Sequence, residues 1–482
     1  MSASSAASIT LFTPPHVPNH PSHLASLIPS QSLAHLPSFE LESGEVLEDV
    51  WIGWKSWGKL NDERNNAMVV CHALTGSSDL EDWWGPLLGP GLAFDPTRYF
   101  IICCNVLGSP YGTSSPITVN PRTGKLYGPE FPSTTVRDDV RLHKLLLDRL
   151  GVESVAVVIG GSMGGMQALE WPLLTPEGYV QNVIPIATCA RHSAWGISWG
   201  EAQRQSIYSD PKYQDGYYAL DDGPSAGLAA ARMAALLTYR SRDSFESRFG
   251  RREQESPRGS GEIDRTYSPA LEAHNDGHKR FGASRVNHKS PMLGEGREEA
   301  VPLAAASQKT IFRAQSYLRY QGDKFISRFD ANCYLHITRK MDSHDVSRGR
   351  PSAPNPLSRI PKGALVMAIS SDGLFTMTEQ EELANNIPEA KLVIIQSPDG
   401  HDGFLLEFEQ INSHILSFLH SRLPSIYEGE PIMKVEGDGV EHSFQVKKPS
   451  LFGEAEGASD EEGERKGVGV EEVSSEPDVT RW

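Results

Sequence analysis

The eight residues Val158–Gly165, VIGGSMGG, constrain this chain more than any other stretch. They carry a G-x-S-x-G pattern, Gly160-Gly161-Ser162-Met163-Gly164, directly behind the apolar run Val155–Ile159. A helix-like segment, Met166-Gln167-Ala168-Leu169-Glu170-Trp171, follows at once. A strand that turns sharply into a helix around a Gly-flanked Ser is a seat for a nucleophile. The glycines are needed because the Ser sits at a strained backbone position and strand and helix must approach closely. Gly-rich turns of this kind also cradle phosphates. Neither G-x-G-x-x-G nor a following Lys-Ser/Thr is present, so that reading is the weaker one.

Around this turn, apolar β-type runs recur at Val50–Trp57, Ala67–Ala73, Tyr99–Val106, Val183–Ala187, Ala364–Ile369 and Lys391–Gln396. Helical patterns lie between several of them, for example Thr135–Leu150, which stops at Gly151. Continuously apolar strands alternating with helices predict an α/β architecture with a mainly parallel sheet covered on both faces. The pattern divides the chain. Residues 1–45, rich in Pro and Ser, read as a loose lead-in. Residues 46–190 and 346–424 read as two parts of one sheet. Residues 191–345 carry helix-like segments at Trp199–Ser209, Gly227–Arg240 and Ala314–Lys340. Helices inserted between late strands sit over the carboxyl edge of a sheet, where ligands bind. Residues 191–345 therefore read as a lid, in preference to a separate second domain.

Charge places the less regular parts. Within the lid, residues 242–300 hold 11 basic and 11 acidic side chains among many Gly, Ser and Pro. So few apolar groups cannot offset the entropy of ordering, and a disordered insertion is expected there. Residues 425–482 hold 15 acidic and 6 basic side chains, −9 of the chain's net −17, and read as an acidic disordered tail. No basic patch with interleaved aromatics suggests nucleic acid as a partner. No apolar run approaches the ~20 residues of a membrane span. The first residues lack the basic start and apolar block of a secretory signal. They are Ser-rich and acid-poor, as transit peptides are, but the first Lys or Arg is Lys55, which argues against one. The expected location is cytoplasmic. Cys71, Cys103, Cys104, Cys189 and Cys333 form no C-x-x-C pair and read as reduced, mostly buried thiols. No Cys/His cluster has metal-ligand spacing, so no metal site is expected.

A Ser hydroxyl needs a base to take its proton. In an α/β sheet with such a turn, the partners follow in the order Ser, Asp/Glu, His, each just after a strand. Two loops fit. Ser370-Ser371-Asp372-Gly373 follows Ala364–Ile369, and Ser397-Pro398-Asp399-Gly400-His401 follows Lys391–Gln396. His401 is the expected general base and Asp372 the carboxylate that holds its tautomer. Asp399 is a rival acid, but it lies too near His401 in sequence and inside a Pro-Asp-Gly turn. An oxyanion hole needs two backbone N–H groups. The residue after the nucleophile, Met163, supplies one, and Leu74, in the loop after Ala67–Ala73, is the candidate for the other.

The segments CHALTG, DWWGPLLGPG, NVLGSPYG, GPEFP, TVRDDV, GGSMGGMQALEW, ARHSAW, EAQRQSIYSDP, SYLRYQGDKFISRFDANCYL, SDGLFT and SPDGHDGFL together resemble the homoserine O-acetyltransferases. The long polar insertion in the lid resembles the fungal members. The resemblance covers roughly residues 39–422 apart from that insertion. It implies an α/β-hydrolase fold with a helical lid, a homodimer and no permanently bound cofactor. It also implies ping-pong transfer from acetyl-CoA to the hydroxyl of L-homoserine, within methionine biosynthesis. By motif, Ser162 is the nucleophile, Asp372 the acid and His401 the base. Arg232 of the Ala-Arg-Met segment would bind the substrate carboxylate, Asp402 its amine, and Tyr239 would be a further contact. Relatives that acetylate L-serine or deacetylcephalosporin C share nearly all of this set; an esterase that uses water would share the elbow and triad but not the set. Spacing alone does not choose an acetyl over a succinyl donor.

Overall fold

The computed structural model describes residues 9–18, 22–255, 277, 310–351 and 355–433. Its strands are β1 (Thr10–Phe12), β2 (Ser32–Glu40), β3 (Val46–Trp57), β4 (Ala67–Cys71), β5 (Phe100–Cys104), β6 (Val155–Gly161), β7 (Val183–Ile186), β8 (Glu253–Glu255), β9 (Thr310–Phe312), β10 (Leu365–Ile369) and β11 (Lys391–Ile395). Nine of them form one sheet in the order β1-β2-β3-β5-β4-β6-β7-β10-β11. From β5 to β11 every pairing is parallel, and β1, β2 and β3 add an antiparallel end.

The helices are α1 (Leu80–Trp83), α2 (Val136–Leu150), α3 (Met163–Leu174), α4 (Ala194–Tyr208), α5 (Ser225–Tyr239), α6 (Arg242–Arg248), α7 (Arg313–Ile326), α8 (Ala331–Asp342), α9 (Met377–Asn386), α10 (Gly403–Leu406), α11 (Phe408–Arg422) and α12 (Pro424–Glu428). The parallel strands read as unbroken apolar runs because both faces are covered. Val69 and Cys71 of β4 join Leu142 and Leu146 of α2 and Leu169 of α3 in one core layer. Their neighbours Met68 and Val70 point the other way and pack with Ile411, Ile415 and Leu419 of α11. Local signals set the element ends. Thr135 accepts from the Asp138 amide while Asp138 reaches back to Thr135, which caps α2, and Gly151 closes it at φ 84°.

Helices α4 to α8 leave the sheet after β7 and return at β10, its neighbour in the sheet. They roof the carboxyl edge through a third apolar layer, in which Leu228, Ala231, Phe325 and Ile337 pack with Met163 and Met166. A buried ion pair joins roof and sheet layer. Lys340 Nζ of α8 lies 2.7 Å from Asp139 Oδ2 of α2 and donates to the Leu107 carbonyl at 2.7 Å.

Four sequence expectations are corrected. Residues 1–45 are not a loose lead-in throughout: β2 pairs with β3 from Ser32↔Trp54 to Glu40↔Val46, and β1 pairs with β2. The insertion expected at 242–300 is ordered at its start. There α6 is helical, Ser241 caps it, and β8 pairs with β9. Residues 256–276 and 278–300 lie outside the described residues. The helical stretch read at Ala314–Lys340 is two helices, because Asp330 caps a new start by accepting from the Cys333 amide. The tail expected to be disordered from 425 begins inside α12; from 434 onward it lies outside the described residues. All five cysteines are free and buried. Among the described residues, no helix is long and apolar enough to cross a membrane.

Candidate active site

Ser162 stands between β6 and α3 with φ 58° and ψ −125°, a conformation that costs free energy for a residue with a side chain. The surroundings hold it there. Its N–H donates to the Ile186 carbonyl at 3.0 Å. Its carbonyl accepts from Thr188 Oγ1 at 2.8 Å, and Gln380 Nε2 in turn donates to the Thr188 carbonyl at 2.5 Å. Two of the flanking glycines are obligatory for steric reasons. A Cβ on Gly164 would lie 2.0 Å from the Cys71 carbonyl oxygen, and one on Gly160 would lie 2.2 Å from the Gly164 oxygen. α3 can therefore start only where β4 and β6 let backbone touch backbone.

Asp372 and His401 follow β10 and β11, neighbouring strands with a common carboxyl edge. Asp372 Oδ1 accepts from the Leu374 and Phe375 amides at 2.8 and 2.9 Å. Its Oδ2 lies 2.7 Å from His401 Nδ1. That fixes the imidazole with Nδ1 protonated and Nε2 free as a base. Burial works against a charge on this ring, but the Asp372 carboxylate and its hydrogen bond, helped by Asp402, outweigh burial and hold the His401 pKa above its ordinary value. Ser162 and His401 are 5% and 3% exposed and line one cavity. No Oγ–imidazole hydrogen bond is formed in this state. Asp399, the rival acid, is turned elsewhere: it accepts from Arg240 Nη1 at 3.0 Å and Ser244 Oγ at 2.6 Å.

The Leu74 and Met163 amides have no acceptor among the described residues. Leu74 lines the cavity, and Met163 is the first residue of α3, so the positive end of that helix faces Ser162. The loop carrying Leu74 is braced from below. His72 Nδ1 lies 2.8 Å from the Ala73 carbonyl, and its Nε2 accepts from the Val106 amide at 3.3 Å. Burial lowers the His72 pKa to about 4, so the ring is neutral and can both donate and accept.

The cavity, about 120 Å³ in volume, also holds Arg232, Tyr239 and Asp402. Arg232 projects from α5 and is 7% exposed. It has no carboxylate partner among the described residues, and its Nε is buried without a hydrogen bond. Its guanidinium lies over the rings of Tyr239 and Phe325, at 5.6 and 5.1 Å from their centroids. Tyr239 ends α5 with its ring centroid 6.3 Å from that of His401. Asp402 is not free: Arg240 Nε lies 3.0 Å from its Oδ2. Sequence reasoning passed over Arg240, since one Arg at a helix end carries no pattern. It ties Asp402 and Asp399 together from beneath the His401 loop. It also passed over His192, Trp199 and Asp342, which line the cavity from the segment before α4, from α4 and from the end of α8.

The site thus joins an oriented imidazole, a strained hydroxyl, two unused amides and an unpaired buried cation. Residues 66–408 match the family model described as alpha/beta hydrolase fold. The chain is 51% identical to a homoserine O-acetyltransferase of Cryptococcus neoformans, over 90% of this chain and 96% of that protein. It is 49% identical to the one from Saccharomyces cerevisiae, over 90% and 94%. This chain belongs to the homoserine O-acetyltransferase family. Members of this family are acyltransferases, and the protein is an enzyme of that class. The crystal structure of homoserine O-acetyltransferase from Bacillus anthracis superposes with a TM-score of 0.64 at 21% identity, covering 81% of this chain and 97% of the other. An esterase, E22, in an L374D variant, reaches the same TM-score at 25% identity over 81% and 99%. The fold is therefore common to a transferase and an esterase.

Proposed function

We propose that this enzyme transfers an acetyl group from acetyl-CoA to the hydroxyl of L-homoserine, through acetyl-Ser162, in a ping-pong cycle that serves methionine biosynthesis. Ser162 Oγ attacks the thioester carbonyl while its proton passes to His401 Nε2. Asp372 stabilises the imidazolium through Nδ1. The Leu74 and Met163 amides hold the oxyanion. Collapse breaks the C–S bond, and the leaving thiolate takes the proton from His401. L-Homoserine then binds with its carboxylate on Arg232 and its ammonium facing Asp402, beside Tyr239. His401 removes the hydroxyl proton, the oxygen attacks the acetyl carbonyl, and Ser162 recovers its proton from His401. The two substrates supply every atom transferred, so the cycle calls for no bound cofactor. In this reading the enzyme works as a cytoplasmic homodimer.

One observation carries the choice of acceptor. Arg232 is a buried guanidinium without a carboxylate partner among the described residues, facing the cavity it shares with Ser162 and His401. A buried charge is unfavourable unless something pairs it, and a substrate carboxylate would do so with two parallel hydrogen bonds. Water as acceptor would leave it unpaired. The test is steady-state kinetics with homoserine and serine crossed against acetyl-CoA and succinyl-CoA. Homoserine with acetyl-CoA should give the highest kcat/KM and parallel double-reciprocal lines. Hydrolysis outrunning homoserine-dependent transfer would overturn the reading.

A further inference from the structure

One wall of the cavity is lined by His192, Trp199 and Asp342, with Arg204 behind Asp342. Trp199 Nε1, His192 Nδ1, Asp342 Oδ1 and Arg204 Nη1 are all buried without a hydrogen-bond partner among the described residues. They belong together. Arg204 Nη2 lies 2.8 Å from Asp342 Oδ2, and His192 Nδ1 lies 3.6 Å from Asp342 Oδ1. The His192 and Arg204 side chains are each 5% exposed. Gly200 sits against the pair: a Cβ there would lie 3.1 Å from Arg204 Nη1 and 3.6 Å from Asp342 Oδ1. Native interiors leave few such groups, and each is unfavourable unless a ligand or water satisfies it.

The place of this wall limits what can use it. The His192 ring stacks on Phe375 at 6.0 Å, and the opposite neighbour of Phe375 is the His401 ring at 5.1 Å. The wall is thus one aromatic ring removed from the reacting centre. It lies beside the amino-terminal end of α4, where Ala194, Trp195, Ile197 and Ser198 are exposed. Homoserine already has its contacts in Arg232, Asp402 and His401 in the reading above. The acyl donor is long, and its pantetheine arm carries two secondary amides on the way out from the thioester. Each amide offers one N–H and one C=O. The wall offers Asp342 Oδ1 as acceptor and the Trp199 indole as donor, which is the complementary set.

We propose that Trp199 and Asp342, with His192 beside them, form a binding station for an amide of the pantetheine arm of the acyl donor. The inference rests on the acetyl-CoA reading above. The amide N–H donates to Asp342 Oδ1, and the amide C=O accepts from the Trp199 indole; Arg204, held also by Glu201, backs Asp342. Asp342 also keeps Arg204 in place, so its loss perturbs more than one contact. Trp199→Phe is the cleaner variant, because its indole N–H has no hydrogen-bond partner among the described residues.

The experiment compares acetyl-CoA with p-nitrophenyl acetate, an acetyl donor without amides, in the full-length enzyme. Acetyl-Ser162 formation from both donors is followed in the parent, Trp199→Phe and Asp342→Asn, and KM for homoserine is measured alongside. For each variant, the ratio of kcat/KM for acetyl-CoA to that for p-nitrophenyl acetate should fall about tenfold, the loss of one buried hydrogen bond to a ligand. KM for acetyl-CoA should carry the change. An unchanged ratio in Trp199→Phe overturns the station. So does a rise in KM for homoserine in place of acetyl-CoA. Failure of the parent to form acetyl-Ser162 from either donor would instead overturn the reading on which the station rests.

Discussion

Replacing Arg232 by Met separates a residue kept for substrate from one kept for structure. Met preserves the length and apolar stem of Arg and removes the charge. The parent loses little inside the protein. Its Nε is buried without a partner, a state that costs about 1–3 kcal/mol. Against that stand two ring contacts, over Tyr239 and Phe325, each worth about 0.5–1 kcal/mol. The two terms nearly cancel, so the melting temperature of Arg232→Met should match or exceed that of the parent. Catalysis should move the other way. Truncating one member of a buried charge pair costs about 2–5 kcal/mol, hence kcat/KM for homoserine should fall roughly thirtyfold to several-thousandfold. The burst of thiol release from acetyl-CoA should persist, since the first half-reaction has no amino-acid carboxylate. The parent should prefer homoserine over 3-aminopropan-1-ol, its analogue without the carboxylate, and the variant should lose that preference. A melting temperature lowered by many degrees, or an unaltered preference, would refute the reasoning.

Other perturbations test the remaining parts. The raised pKa of His401 means that the base is protonated below it, so kcat/KM should rise with pH along a limb centred above the ordinary histidine value of about 6.5. Asp372→Asn should move that limb to lower pH, because burial then acts with less opposition, and should cut kcat by roughly 10⁴; a pH profile of each enzyme checks both. Gly164→Ala should prevent soluble folding, because its Cβ meets the Cys71 carbonyl at 2.0 Å, whereas Gly373→Ala, with nothing within 4 Å, should express and melt like the parent. Lys340→Met leaves the Asp139 carboxylate buried without its cation and should cost about 3–5 kcal/mol in denaturant unfolding. Burial already raises the Asp139 pKa to about 6. The loss should therefore shrink as pH falls and Asp139 takes up a proton, and a second change, Asp139→Leu, should restore most of it.

Each of the seven apolar runs read from the sequence overlaps a strand of the sheet; for the inner parallel strands β4, β5, β6, β7 and β10 this is because strands buried on both faces need no polar alternation. The positions after them were legible for the same reason: in such a sheet, loops at strand carboxyl ends converge. β2 was hidden by its composition, since Ser, His and Pro interrupt it. Pro37 is tolerated because the register passes from Leu36↔Val50 to Ser38↔Glu48, and β1 ends before reaching it, so no ladder bond awaits its missing N–H. The break between α7 and α8 was hidden because Asp330 reads equally well as a surface helix residue until its cap partner is known. Arg240 and the Trp199–Asp342 wall were out of reach for a different reason. Their roles arise from residues that are distant in sequence, and only the folded chain reveals which polar atoms remain unpaired.

The Lys340–Asp139 pair also bears on how substrates come and go. It lies where the roof helices meet the sheet layer, and both side chains are 0% exposed. Swinging the roof away as a rigid body would draw an ammonium and a carboxylate apart where no water can reach either. That motion carries a steep electrostatic barrier. The roof therefore behaves as a bolted ceiling. In the proposed ping-pong cycle both substrates would then share one cavity, and the departing thiol would have to clear it before the amino acid could enter. An order of events that looks chemical is in this way also architectural.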